Sequence, residues 1–96
     1  MAEIRPSDIV KSLAGHDKGR LYIVLESKNE YAILADGKIR QLLNPKRKKL
    51  KHLTRMGEID SPAVRAIITG GVIGNRDIIK SLAAFNAGRA FDEGGK

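Results

Sequence analysis

Apolar residues in the first half of the chain come in short runs, each closed by turn-forming residues. Ile9 to Leu13 is the first such piece, and it stops at Ala14-Gly15-His16-Asp17-Lys18-Gly19. Two glycines bracketing His-Asp-Lys suit a tight connection that needs positive φ angles. Leu21-Tyr22-Ile23-Val24-Leu25 follows, a continuous apolar run of strand length that predicts a strand buried on both faces. Ser27-Lys28-Asn29-Glu30 reads as the next turn, and Tyr31 to Ala35 as the next strand. Asp36-Gly37 is a two-residue hairpin signal, so Lys38 to Leu43 is expected to pair back across it. Asn44-Pro45 breaks that strand, and Lys48 to Leu53 can form one more. Short strands at this close spacing predict a small five-stranded antiparallel barrel rather than an open sheet.

The second half changes period. Ser61-Pro62 is a helix start, with Ser as N-cap and Pro at the first helical position. Val64, Ile67 and Ile68 fall on one face, and Gly70-Gly71 ends the helix. Asn75 is expected to cap a second helix with an apolar stripe of Ile78, Ile79, Leu82, Ala83 and Phe85. Arg76, Asp77, Lys80 and Ser81 would lie on its other side. Helices this short are marginal alone, so their stripes must dock on the sheet, on each other or on a partner. Ala87 to Lys96 is small, Gly-containing and charged, and is expected to be loose. The fold class predicted is mainly β with C-terminal α. Residues 1–55 would form the barrel, 56–88 a helical hairpin on or beside it, and 89–96 a flexible tail.

Ninety-six residues suffice for one domain that folds without staples. Cysteine is absent, which excludes disulfides, thiolate metal sites and a thiol nucleophile. No apolar stretch of signal-peptide type opens the chain, and none is long enough to span a membrane, so a soluble, cytoplasmic protein is expected. The net charge of +7 is placed unevenly. Met1 to Arg55 carries thirteen Lys/Arg against six Asp/Glu, whereas Met56 to Lys96 carries five of each. All the excess sits on the first segment, and a polyanion is its natural partner. Acidic lipid surfaces and acidic protein tails are the competing partners.

Six of the ten residues from Lys46 to Arg55 are Lys or Arg, with Leu50 and Leu53 between them. In an extended segment Leu50 would face the core while Lys49 and Lys51 share the opposite face. Lys46 and Arg47 would lie in the loop before it. Such a ridge of cations neutralises phosphates and releases counterions, and Arg adds a bidentate fork. Contacts of this kind position an RNA but read little of its sequence. Lysines can equally guard a sheet edge against pairing, which is the structural alternative.

Gly15-His16-Asp17-Lys18-Gly19-Arg20 resembles the glycine-basic turn of KOW domains, the small RNA-binding barrels of ribosomal proteins and transcription elongation factors. The resemblance continues through Asp36-Gly37-Lys38-Ile39-Arg40 and Pro45-Lys46-Arg47-Lys48-Lys49-Leu50-Lys51-His52-Leu53, covering about half the chain. It is nearest to large-subunit ribosomal proteins with a single KOW barrel. The resemblance implies an SH3-like barrel that binds structured RNA, usually ribosomal RNA, through its loops, without enzymatic activity. The residues it implicates are Gly15, Lys18, Gly19 and Arg20 in the turn, Lys38 and Arg40 in the second block, and Lys46, Arg47, Lys48, Lys49, Lys51 and His52 in the basic block. Arg55 extends that block, and His16, within the turn, is a further candidate for RNA contact. Tyr22 departs from the pattern, since many KOW turns carry a further glycine there.

Other chemistries find little support. His16 and His52 are the only histidines and lie far apart, so neither a metal site nor a cofactor is expected. Gly71-Val72-Ile73-Gly74 has the spacing of a GXXG loop, but its middle residues are apolar and no Lys-Ser/Thr follows for a phosphate loop. Asp8, Asp17 and Asp36 sit in turn-like contexts, and Ser7 has no catalytic motif around it. Tyr22 and Tyr31 could stack on bases, but their apolar neighbours place them in the core. The expected function is RNA binding, with ribosomal RNA and ribosomal proteins as partners. A protein-interaction module of the transcription elongation type, contacting polymerase or ribosomal proteins, is the alternative.

Overall fold

A computed structural model of the chain describes the backbone of residues 3–94 and the side chains of residues 3–88. Five strands, β1 (Ile9–Ser12), β2 (Leu21–Lys28), β3 (Tyr31–Ala35), β4 (Lys46–Lys49) and β5 (Leu53–Gly57), form one antiparallel sheet in the order β4-β3-β2-β1-β5. Two helices follow, α1 (Pro62–Thr69) and α2 (Asn75–Gly94). The sheet is not closed: β4 and β5 are its edges, with no ladder between them. Two bulges bend it. Leu25 is the extra residue where β2 pairs with β3, and Met56 the extra residue where β5 pairs with β1.

The run from Leu21 to Leu25 is continuously apolar because β2 has two cores to fill. Tyr22 and Val24 pack with Val10, Ala32, Leu34 and Leu53 on one face. Ile23 and Leu25 point the other way, where the helices supply Val64, Ile67, Ile78 and Leu82. The helices therefore dock on the sheet. Helix α1 follows its sequence signals: Ser61 Oγ accepts from Val64 N at 3.2 Å, Pro62 opens the first turn and Gly70 closes the last in the left-handed region. Helix α2 departs from them. Its first turn is closed by Gly74, whose carbonyl accepts from Asp77 N and whose N–H donates back to the Asp77 carboxylate. Asn75 does not cap it, and instead accepts from Leu42 N at 2.8 Å. Ser81, expected on the solvent side, is buried and donates to the Asp77 carbonyl across from Ser61. The helix continues to Gly94, so 89–94 is helical backbone, and residues 95–96 of the expected tail lie outside the described residues.

Three sequence expectations on the sheet are corrected. Strand β2 runs on to Lys28, which leaves only Asn29-Glu30 for the turn. The hairpin at Asp36-Gly37 is absent, and 38–43 is loop rather than strand. Here the Asp36 carboxylate accepts from Lys38 N and Arg40 N, and Asn75 takes the Leu42 N–H, so side chains satisfy backbone groups a ladder would have used. Gly37 keeps its glycine for another reason: at φ 82°, a Cβ there would stand 2.5 Å from the Asn75 carbonyl and 2.7 Å from Ile79. Finally, the strand expected from Lys48 to Leu53 is split. Lys46–Lys49 is the strand that pairs with β3, and Leu50–His52 is a single 3₁₀ turn that swings the chain across to β5.

Candidate nucleic-acid interface

Strand parity in β4 leaves Lys49 outward, as expected, and Leu50 still packs against the core, but Lys46 and Arg47 belong to the strand rather than to a loop before it. Lys46 lies opposite Leu34 and Lys48 opposite Ala32, so both lysines fall on the core face of the sheet. An ammonium group on that face needs an anion, and the turn between β1 and β2 provides one. Asp17 is buried there, 8 % exposed. Its Oδ1 accepts from Lys48 Nζ at 3.0 Å and from Ser12 Oγ at 2.8 Å, and its Oδ2 accepts from the Tyr22 hydroxyl at 2.7 Å. Lys46 Nζ is 3.5 Å from Oδ2, and Lys48 also donates to the Ala14 carbonyl at 2.9 Å. Burial alone would raise the Asp17 carboxyl, but the bonds from Tyr22, Lys48 and Ser12, with the Lys48 charge, hold it well below its ordinary 3.8. Burial and then the bond to Asp17 push the Tyr22 phenol well above its ordinary 10.0, so it stays a donor.

This cluster positions the basic turn. Gly15 and Gly19, at φ 86° and 90°, let residues 13–20 fold back so that Gly19 N reaches the Ser12 carbonyl and Leu13 N reaches the His52 carbonyl. Turn, β4 and the 3₁₀ turn are thereby held as one edge of the molecule. Gly15, His16, Lys18 and Gly19 are exposed on it, with Arg20 half-buried behind. Lys46 and Lys48 share one carboxylate, so this edge keeps an excess of positive charge.

The remaining predicted residues are distributed around that edge. Arg47 and Lys49 point away from the core, and the Arg47 guanidinium lies over the Tyr31 ring at 4.0 Å. Lys38 joins Lys11 and Gly19 around a groove of about 540 Å3, floored by Leu21, Ile79 and Leu82. Arg40 serves through its backbone, closing the Asp36 loop. Lys51 is exposed, while His52 is half-buried. Arg55 is engaged: its Nε lies 3.1 Å from the buried Asp8 carboxylate and a terminal nitrogen lies 3.6 Å from Glu58. Lys48 and Arg55 are thus each held in an ion pair with a buried carboxylate. Lys18, Lys38, Lys49 and Lys51 are exposed and form no ion pair among the described residues.

Asp17 and Tyr31 are the residues sequence reasoning misplaced. Asp17 reads as turn punctuation, because nothing local marks a carboxylate that joins Ser12, Tyr22, Lys46 and Lys48. The two tyrosines separate cleanly: Tyr22 is core, whereas Tyr31 lies half-buried on the outer face. No helix among the described residues is long and apolar enough to cross a membrane. No protein-family model matches the chain, and a search of curated proteins finds no match.

Proposed function

We propose that this chain is an RNA-binding protein of the KOW type, with an SH3-like barrel that docks on ribosomal RNA as a ribosome-associated or assembly factor in the cytoplasm. The observation that carries the reading is the edge formed by the 13–20 turn, β4 and the 3₁₀ turn. Among the described residues Lys18, Lys49 and Lys51 form no ion pair there, and two further lysines share the buried Asp17. Such an edge attracts phosphates without demanding a sequence. Four short strands in meander order with β5 returning to pair with β1, and bulges in β2 and β5, support the barrel assignment. The reading assigns the protein no catalytic step and no cofactor.

Binding of a ribosomal RNA fragment, followed by fluorescence anisotropy across a salt series, tests it. Affinity should fall steeply with salt, and Lys18→Ala, Lys49→Ala and Lys51→Ala should each lower the slope by about one. An unchanged slope in the triple variant would show that this edge is not the site.

A different observation favours a protein-interaction module. Leu43 and Val72 are both 99 % exposed, on two segments joined by the bond from Leu42 N to Asn75. In that case Leu43→Ser with Val72→Ser would abolish co-purification of polymerase or ribosomal proteins and leave RNA affinity intact.

A further inference from the structure

The outer face of β2, β3 and β4 carries a row of side chains of which the phosphate-docking edge uses only Lys49. Tyr31 pairs with Lys28 on one side and with Lys49 on the other. Directly opposed residues share a face, so the ring is flanked by a cation on each side, one strand spacing away. In the next row Ile33 pairs with Glu26 and with Arg47. Arg47 reaches diagonally over the Tyr31 ring, its guanidinium 4.0 Å from the centroid. Beside this pair lies an open hollow of about 350 Å3 lined by Glu26, Lys28, Tyr31, Ile33 and Arg47. Glu26 is the one acidic group there among the described residues, and Lys28 compensates it at 2.9 Å.

An aromatic ring capped by a guanidinium is a stacking device, because both planes take up nucleobases through their faces. A flanking lysine on each side suits the phosphates before and after a stacked nucleotide. A carboxylate at the rim can accept from the amino group of a base. Base-paired RNA cannot use such a hollow, since its bases are stacked on one another and shielded by the backbone.

We infer that this face holds unpaired RNA nucleotides, with a base stacked in the hollow against Tyr31 and Arg47 and its phosphates on Lys28 and Lys49. The inference rests on the RNA-binding reading above and adds the class of RNA: single-stranded segments rather than duplex.

The full chain would be titrated with a short single-stranded RNA, with the blunt duplex of the same sequence, and with heparin as a polyanion lacking bases. Tyr31→Ala should weaken single-strand binding by about 5- to 150-fold and leave duplex and heparin affinity within twofold, as expected for loss of one stacked base. Tyr31→Phe should restore single-strand affinity, and Arg47→Lys should lower it without changing the salt slope, because charge is kept and the planar stack is lost. Thermal melting of each variant identifies any that fail to fold, and Tyr31→Phe remains decisive if Tyr31→Ala does not fold. If the wild type binds both RNAs but Tyr31→Ala lowers neither or all three affinities equally, the stacking inference falls and phosphate docking stands. Loss of affinity in Tyr31→Phe overturns it likewise. If the wild type binds no RNA, both readings fall together.

Discussion

Replacing Asp17 by Ala removes the one anion on which three elements of the sheet converge. The magnitude follows from what is left behind. Tyr22, 1 % exposed, loses the acceptor of its hydroxyl, a desolvation cost of about 1–3 kcal/mol. Lys48, whose side chain is 12 % exposed, loses its counter-charge but keeps the Ala14 carbonyl at 2.9 Å. Breaking a buried pair from one side costs about 3–5 kcal/mol, and this one belongs at the lower end, since both lysines sit on an edge strand and can turn to water. A loss of about 3 kcal/mol is therefore expected, which for a domain of this size lowers Tm by about 12–24 °C. Asp17→Asn keeps the shape and an acceptor while losing the charge, and should cost about 2 kcal/mol. Urea denaturation followed by circular dichroism measures both.

The pH dependence gives an independent check. The Asp17 carboxyl is lower in the folded than in the unfolded chain, so its contribution is complete above the unfolded value of 3.8. It is lost progressively as the pH falls below that, toward the lowered folded value. Asp17→Asn should remove this acid limb. A loss below about 1 kcal/mol in Asp17→Ala, the range of exposed ion pairs, would refute the assignment of Asp17 as the anchor. So would an acid limb that persists unchanged in Asp17→Asn.

Further outcomes follow from the same geometry. Ile78 is fully buried between α2 and the sheet, so Ile78→Ala should cost about 2–5 kcal/mol and keep a single cooperative unfolding transition, whereas a separate transition would show helices that fold apart from the sheet. Gly37 and Gly70 both have positive φ, but only Gly37 is overlain, by Asn75 and Ile79. Gly70→Ala should therefore cost about 1–2 kcal/mol and Gly37→Ala clearly more, with denaturation midpoints as the measure.

Much of this architecture is legible locally. The Ser61-Pro62 start and Gly70 stop of α1 are set by backbone donors and φ preferences that depend on adjacent residues alone. Strand β3 appears with its expected bounds, Tyr31–Ala35, because its apolar run is closed on both sides by turn residues. The doubly buried stretch in β2 is likewise written in its unbroken apolar composition. The segment from Asp36 to Leu53 is not legible in this way. Asp36-Gly37 has the composition of a hairpin turn, yet both residues donate to the Arg40 carbonyl and Gly37 is overlain by α2, about forty positions away in sequence.

The sequence by itself determined that half the chain is basic, that its first part is β and its second helical, and that the charge is densest from Lys46 to Arg55. Composition and periodicity suffice for that, because each is a sum over near neighbours. Only the tertiary structure decided what each cation does. Alternate residues of a strand take opposite faces, and the pairing of β4 with β3 set Lys46 and Lys48 inward beside Leu34 and Ala32, with Arg47 and Lys49 out. Asp17, Asp8 and Tyr31 then fixed that Lys46, Lys48, Arg55 and Arg47 are engaged within the fold. Those pairings form between residues distant along the chain, and no local pattern encodes them.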